Sequence, residues 1–255
     1  MRVAMGVEYD GSSFHGWQLQ DDVDTVQRGI EQAISQVADH PVRVHCAGRT
    51  DAGVHGLGQV IHFDTAARRP MRNWILGTNV NLPAQINVTW AQQVPESFHA
   101  RFSARSRRYR YLILNRMTRS AIWRERAVWI HRPLDAERMQ RASRHLIGTH
   151  DFSSYRALGC QAKSPVRTIA RLGIERENDR IIIDVEADGF LHHMVRNIAG
   201  VLIAIGGGDR PVDWSREVLE YRDRTLGGVT APPQGLYLAG VGYPEEFDLP
   251  ENPHL

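Results

Sequence analysis

Val3, Met5 and Val7 alternate with Arg2, Ala4 and Gly6, a period of two that predicts a first strand. Asp24 followed by Gln27 has the spacing of a capping box. Val26, Ile30, Ala33, Ile34 and Val37 then recur on one helical face, so a short amphipathic helix is expected. Val42, Val44 and Cys46 alternate as a second strand, the stretch from Gly48 to Gly58 reads as a loop, and Val60 to Phe63 as a third strand. Trp74 to Val80 suggests a second helix and Ile86 to Val94 a fourth strand, giving the order βαββαβ.

The remainder of the chain repeats that order. Tyr109 to Leu114 reads as a strand, and Asp135 opens a helix whose Met139, Ala142 and Leu146 share a face and which stops near Gly148. Val166 to Glu175 and Ile181 to Ala187 are strands turning at Asn178 and Asp179. Met194, Ile198, Val201, Leu202 and Ile205 form a helical stripe, and Leu236 to Tyr243 closes the set as a strand. The segment Arg116 to Pro133 and a helix around Trp214 to Tyr221 are insertions on this scheme. The pattern predicts an α/β (α+β) protein of two ferredoxin-like βαββαβ halves, 1–100 and 101–255, with abutting mixed or antiparallel sheets and a cleft between them.

Composition narrows the class. With 255 residues, 42% hydrophobic and 24% charged, the chain is an ordinary globular protein and neither disordered nor fibrous. Its longest apolar stretch, Ile198 to Ile205 interrupted only by Gly200, is far short of the roughly 20 residues that cross a bilayer, so no membrane association is expected. The opening MRVAMGVEYD lacks the apolar region of a secretory signal. Two cysteines, Cys46 and Cys160, suit a reducing compartment, and the cytosol is the expected location. A net charge of +2 argues no partner by itself, but its distribution is uneven. Between Ala100 and Arg132 stand ten arginines against the single acid Glu125. Arginines interleaved with aromatics are a footprint for phosphates and stacked bases.

The densest chemical signal is Ala47-Gly48-Arg49-Thr50-Asp51-Ala52-Gly53-Val54-His55-Gly56. A carboxylate in a glycine-flanked loop can be presented for chemistry with Arg49 holding it ionised; an Asx-turn with a surface ion pair explains Arg49 and Asp51 equally well. On the strand, Arg107, Tyr109 and Tyr111 fall on one face and Arg108 and Arg110 on the other, so one face can stack while the other binds phosphate. An edge strand with a half-buried tyrosine and solvated arginines fits the same alternation. On a helix starting near Phe190, Arg196 lies about 200° from Met194 and close to His192 and His193. Neither these histidines nor His55 and His62 have metal-ligand spacing, so no metal is expected. Gly206-Gly207-Gly208-Asp209 follows a helix and reads as its C-terminal cap; no Walker or dinucleotide fingerprint points to a cofactor. Cys46 reads as an inert small hydrophobe.

GRTDAGVHG resembles the signature of the TruA family of tRNA pseudouridine synthases. Further segments agree in order: Val7 to Gly11 with Phe14 to Gln18, Phe98 to Ala104 followed by Arg108 to Tyr111, Asp151-Phe152, Phe190 to Asn197, and Gly235 to Leu238. The resemblance spans roughly residues 3–248. It implies isomerisation of uridine to pseudouridine at positions 38 to 40 of the tRNA anticodon stem-loop by a homodimer, without a cofactor. It assigns the nucleophile to Asp51, with Arg49 and Arg196 orienting that carboxylate. Tyr109 would stack on the base and take the C5 proton, and Leu236 would be an apolar wall. The target base must be extruded from the folded RNA, and Arg49 is the candidate wedge. Two rivals remain at this level: a non-catalytic RNA-binding protein, and a carboxylate glycosidase, which would need a second acid beside Asp51.

Overall fold

The computed structural model describes residues 1–250; the last five positions of the expected second half, 251–255, lie outside them. Ten strands and five α-helices among the described residues give the expected α/β class. The chain forms two compact units. One runs from Met1 to Ser106 and takes back the chain from Tyr237 onward; the other is Arg107–Leu236.

The first unit is built on β1 (Arg2–Tyr9), which pairs antiparallel with β3 (His55–Asp64) on one side and with β4 (Ile86–Val94) on the other. Helices α1 (Val26–Ala38) and α2 (Met71–Asn81) pack on this sheet. Val3, Met5 and Val7 on β1 meet Ile30, Ile34 and Trp74 there, all essentially without solvent contact. Each such side chain stabilises the fold by roughly 1.5–3 kcal/mol. Ala4, on the opposite face, lies in a second layer with Trp90, Phe98 and Phe247, so β1 is buried on both sides.

Three local expectations shift. The cap of α1 is Thr25, not Asp24: Thr25 has the extended backbone of a capping residue and its hydroxyl accepts from the Arg28 amide, while the Gln27 side chain turns to Glu31 and the Leu19 amide. Strand β2 is only His45–Cys46, not the whole run from Val42, because the Val42 and Val44 amides donate to Ser35 Oγ and Glu31 Oε1 of α1 instead of to a neighbouring strand. The third strand starts at His55, five residues before the apolar run that announces it.

In the second unit, β5 (Ser106–Asn115) is followed by β6 (Val128–Ile130), α3 (Ala136–Ser143), β7 (Gly148–Asp151), β8 (Val166–Glu177), β9 (Arg180–Ala187), α4 (Met194–Gly206) and α5 (Trp214–Tyr221). The sheet order β5-β9-β8-β7 is antiparallel throughout, and β6, inside the expected insertion, pairs parallel with β5. Along β9, Ile181, Ile183, Val185 and Ala187 are buried while Ile182, Asp184 and Glu186 are not, the mark of a sheet with one face in the core. Asp135 caps α3 as expected, and Gly207 and Gly208 terminate α4. The closing strand β10 (Leu236–Gly242) leaves this unit after Leu236 and pairs parallel with β3, Tyr237 facing His55.

Candidate active site

Asp51 sits between β2 and β3, in a loop whose shape is imposed by turn geometry and by a distant segment. The Val54 amide closes a four-residue turn on the Asp51 carbonyl at 3.2 Å, with Gly53 in its third position at φ 76°. A positive φ there is the requirement of a type II turn and explains the glycine. Residues Tyr9 to Trp17 then clasp the loop from outside. The buried Tyr9 hydroxyl meets Thr50 Oγ1 at 2.8 Å, and the Trp17 amide donates to the Thr50 carbonyl at 3.0 Å. Gly16, at φ 89°, passes so close that a Cβ would press on the Thr50 carbonyl and the Ala52 amide. At the start of the loop the Gln59 side chain, without solvent contact, bonds both the amide and the carbonyl of Gly48. At its end His55 accepts the Gly11 amide at 3.1 Å, lies 3.3 Å from Asp10 and stacks on Tyr237. Asp51 is half-buried and Arg49 exposed at the crest. Cys46 packs against the core beside the loop; burial pushes its thiol up to about 12, so it is inert at neutral pH.

In the second unit, Tyr109 and Tyr111 do share the inward face of β5, as the alternation requires, but their surroundings differ. Tyr109 is 8% exposed and packs edge-on against Phe190 at 5.1 Å. Tyr111 has no solvent contact, donates its hydroxyl to the Pro232 carbonyl at 2.8 Å, and is driven by burial well above the usual phenol range, with Arg196 opposing. Arg196, in the first turn of α4, donates through Nε to the Ala231 carbonyl at 2.8 Å and accepts the Ala231 amide on its own carbonyl. The segment from Thr230 to Pro232 thus straps α4 to β5, four residues before Leu236, which is itself buried. The turn is reinforced by Asn197, which donates to the Tyr155 carbonyl and accepts from Thr230 and Arg224. The helix begins at Met194, not near Phe190: His193 adopts φ 61° just before it, and His192 lies on the preceding turn, so neither histidine flanks Arg196 on the helix face.

Arg108 and Arg110, on the outward face of β5, converge on Asp184 of β9 and are joined there by Arg171 of β8. Burial raises the Asp184 carboxyl, but hydrogen bonds from Arg108, Arg110 and Arg171 outweigh it together and hold the group at about 2. The two arginines are therefore an ordered guanidinium cluster, not two independent solvated charges.

The profile of a family described as tRNA pseudouridine synthase matches residues 5–103 and 142–244. The chain belongs to the tRNA pseudouridine synthase family. Among its relatives, tRNA pseudouridine synthase A of Pseudomonas aeruginosa is 57% identical over 100% of this chain and 90% of its own length. That of Nitrosococcus oceani is 58% identical over 98% and 96%, and that of Pseudoalteromonas atlantica 55% identical over 98% and 95%.

In this tRNA pseudouridine synthase, sequence reading gives the supports no role: Gln59, Ala231 and Pro232 are not singled out, and Tyr9, Gly16, Trp17, Tyr111 and Asn197 appear only as parts of motifs or of a strand face. Tyr9, Gly16, Trp17 and Gln59 shape the Asp51 loop, and Tyr111, Ala231, Pro232 and Asn197 place Arg196. Only the glycine at 16, between His15 and Trp17, carries a local signal of a special backbone; the remaining partners lie from 11 to 121 residues away in sequence.

Proposed function

We propose that this chain isomerises uridine to pseudouridine in tRNA, at positions 38 to 40 of the anticodon stem-loop, with Asp51 as nucleophile. The observation that carries the reading is the Asp51 loop itself: a half-buried carboxylate held by a type II turn and by the Tyr9–Trp17 clasp, in a member of this family. The reaction breaks the N1–C1′ bond, turns the uracil, forms C5–C1′, releases the C5 proton and leaves one on N1. A carboxylate can attack and later leave, so Asp51 carries the covalent step. Tyr109, with Phe190 fixing its ring, stacks on the base and receives the C5 proton; Leu236 supplies an apolar wall and Arg196 a fixed positive charge. Arg49, exposed at the crest of the loop, occupies the space left by the extruded base.

Arg108 and Arg110 bind backbone phosphate, which exchanges for Asp184 as their anionic partner. The enzyme works as a homodimer in the cytosol and needs no redox cofactor, because the isomerisation is redox-neutral. No helix among the described residues is long and apolar enough to cross a membrane. Unmodified tRNA carrying tritium at uridine C5 tests the whole reading. Release of tritium to water with the RNA chain intact is the expected result; free uracil would mean a glycosidase, and binding without release a non-catalytic RNA-binding protein.

A further inference from the structure

The turn from Phe98 to Ser103, in the first unit, takes no part in the chemistry above, yet it is among the most tightly held segments of the molecule. Every backbone amide in it donates a hydrogen bond. Phe98 donates to the Pro95 carbonyl, His99 to Ser103 Oγ, Ala100 to His62 Nδ1, Arg101 and Phe102 both to His99 Nδ1, and Ser103 to the His99 carbonyl, at 2.9–3.3 Å. Two carbonyls are held as well, that of Phe98 by Arg2 and that of Ala100 by the Tyr243 hydroxyl. What this scaffold presents is an aromatic ring in water: Phe102 is 75% exposed.

The ring does not stand alone. His62, with 2% exposure, meets the His99 ring edge-on at 4.5 Å, and His99 lies tilted under Phe102 at 4.3 Å, so ring contacts run from the core out to Phe102 in solvent. The Arg101 guanidinium lies 5.6 Å from the Phe102 centroid. His45, exposed, flanks these rings at 5.4 Å from His99, and no acid occurs between Ser97 and Leu114. His45 belongs to β2, the strand that leads into the Asp51 loop of the same unit, so its contact with His99 sets the tip against that strand.

We propose that Phe102, backed by His99, is a stacking platform for an unpaired nucleotide of the RNA substrate, with the base on the phenyl ring and its phosphate on Arg101. An exposed phenylalanine is unremarkable when its loop is loose; here every amide of the loop is committed to keeping the ring where it is. A base has the flat face that stacks on an exposed ring, and stacking tolerates any of the four bases. The Arg101 guanidinium at the tip suits a phosphate and disfavours a basic protein surface. This inference rests on the functional reading only for the identity of the RNA.

The test is binding of unmodified tRNA transcript, followed by fluorescence anisotropy over a series of salt concentrations. Phe102→Ala is expected to raise Kd about tenfold, the size of one lost base–aromatic stack, and to leave the salt slope unchanged. Arg101→Gln should lower the log–log slope by about 0.7–0.9, the signature of one phosphate contact. Phe102→Trp should bind within about threefold of the parent, and its emission should be quenched on adding tRNA as a base covers the indole. Thermal midpoints equal to the parent's keep the comparison clean. Phe102→Ala binding within twofold of the parent overturns the proposal, as does a change of oligomeric state in sedimentation with unchanged RNA affinity. Tritium release by the parent protein, measured alongside, tests the functional reading separately, so loss of either leaves the other standing.

Discussion

The loop that carries Asp51 and the strand that carries Tyr109 fix their side chains by opposite means. The loop has no strand partner at its crest. Its shape rests on a few long-range bonds, Tyr9 to Thr50 at 2.8 Å and Trp17 to Thr50 at 3.0 Å, and on two positive-φ glycines. Tyr109 sits in a continuous antiparallel ladder opposite Val185, and its neighbours at 107, 108, 110 and 111 are paired as well. A loop held this way is sensitive to single changes far from it. A laddered strand shrugs off most of them, and there the decisive difference between residues is what each hydroxyl touches. Tyr111 has no solvent contact and donates its hydroxyl to the Pro232 carbonyl, whereas Tyr109 lies at the margin of the core, 8% exposed.

The largest expected effect is at the carboxylate. Asp51→Asn keeps the side-chain shape and the turn but removes the anion, so turnover should fall below detection while tRNA affinity stays within a few-fold. Turnover by a preparation free of parent enzyme would remove Asp51 from its role. Next comes the strand. Tyr109→Phe preserves the ring against Phe190 and should bind tRNA normally, yet lose 100-fold or more in rate if the hydroxyl takes the C5 proton. Tyr111→Phe loses only the bond to Pro232, so its cost is about 1 kcal/mol of stability and a smaller rate effect transmitted through the strap to Arg196. Equal rate losses in the two variants would show that the comparison between the tyrosines is drawn two residues out of register.

This contrast also explains how much could be read from the sequence. The two-residue alternation of β1, β4, β5 and β9 was plain because each buries a continuous apolar set. The loop reads as Gly48 to Gly58; its centre was legible because the turn at Gly53 needs a positive φ, whereas His55 to Gly58 belong to β3. What stayed illegible was held by polar bonds with no periodicity. The Val42 and Val44 amides answer to α1 rather than to a strand, the cap moved from Asp24 to Thr25, and β7, with the sequence Gly-Thr-His-Asp, offers no apolar alternation at all. The same holds for the site. Asp51 and Tyr109 were named from the signature and its resemblance. Gln59 and Pro232 were not, because nothing about either residue type says which carbonyl or amide it will meet.

A smaller effect probes the clasp. Tyr9→Phe leaves the aromatic packing on Trp17 but deprives the buried Thr50 hydroxyl of its partner, at a cost of about 1–2 kcal/mol in stability. Because the hydroxyl acts through the loop and not on RNA, kcat should fall about tenfold with tRNA affinity unchanged. A parallel rise in Kd would mean that Tyr9 touches the RNA and that the clasp is not what positions Asp51.

The smallest effects on turnover come from groups outside the chemistry, which separate the two units by the pH dependence of their stability. His62, in the first unit, is held neutral: burial lowers it most, with His99 and His45 adding, to about 3 against an ordinary value of 6.5. The unfolded chain takes up that proton below 6.5 and the folded chain does not until about 3. Stability should therefore fall by about 1.4 kcal/mol per pH unit across that window as the solution is acidified, and His62→Gln should remove this slope. Asp184, in the second unit, is depressed from 3.8 to about 2 despite its burial, because three arginines bind its ionised form. Its contribution is complete above 3.8 and is lost as the pH falls through 2, amounting to about 2 kcal/mol at neutrality for a carboxylate only 14% exposed. Urea midpoints between pH 7 and 2 for the parent, His62→Gln and Asp184→Asn resolve the two windows. If Asp184→Asn tracks the parent below pH 4, the guanidinium cluster is not stabilised by its central carboxylate. Arg108 and Arg110 would then be loose charges, with no exchange of Asp184 for phosphate to account for when RNA binds.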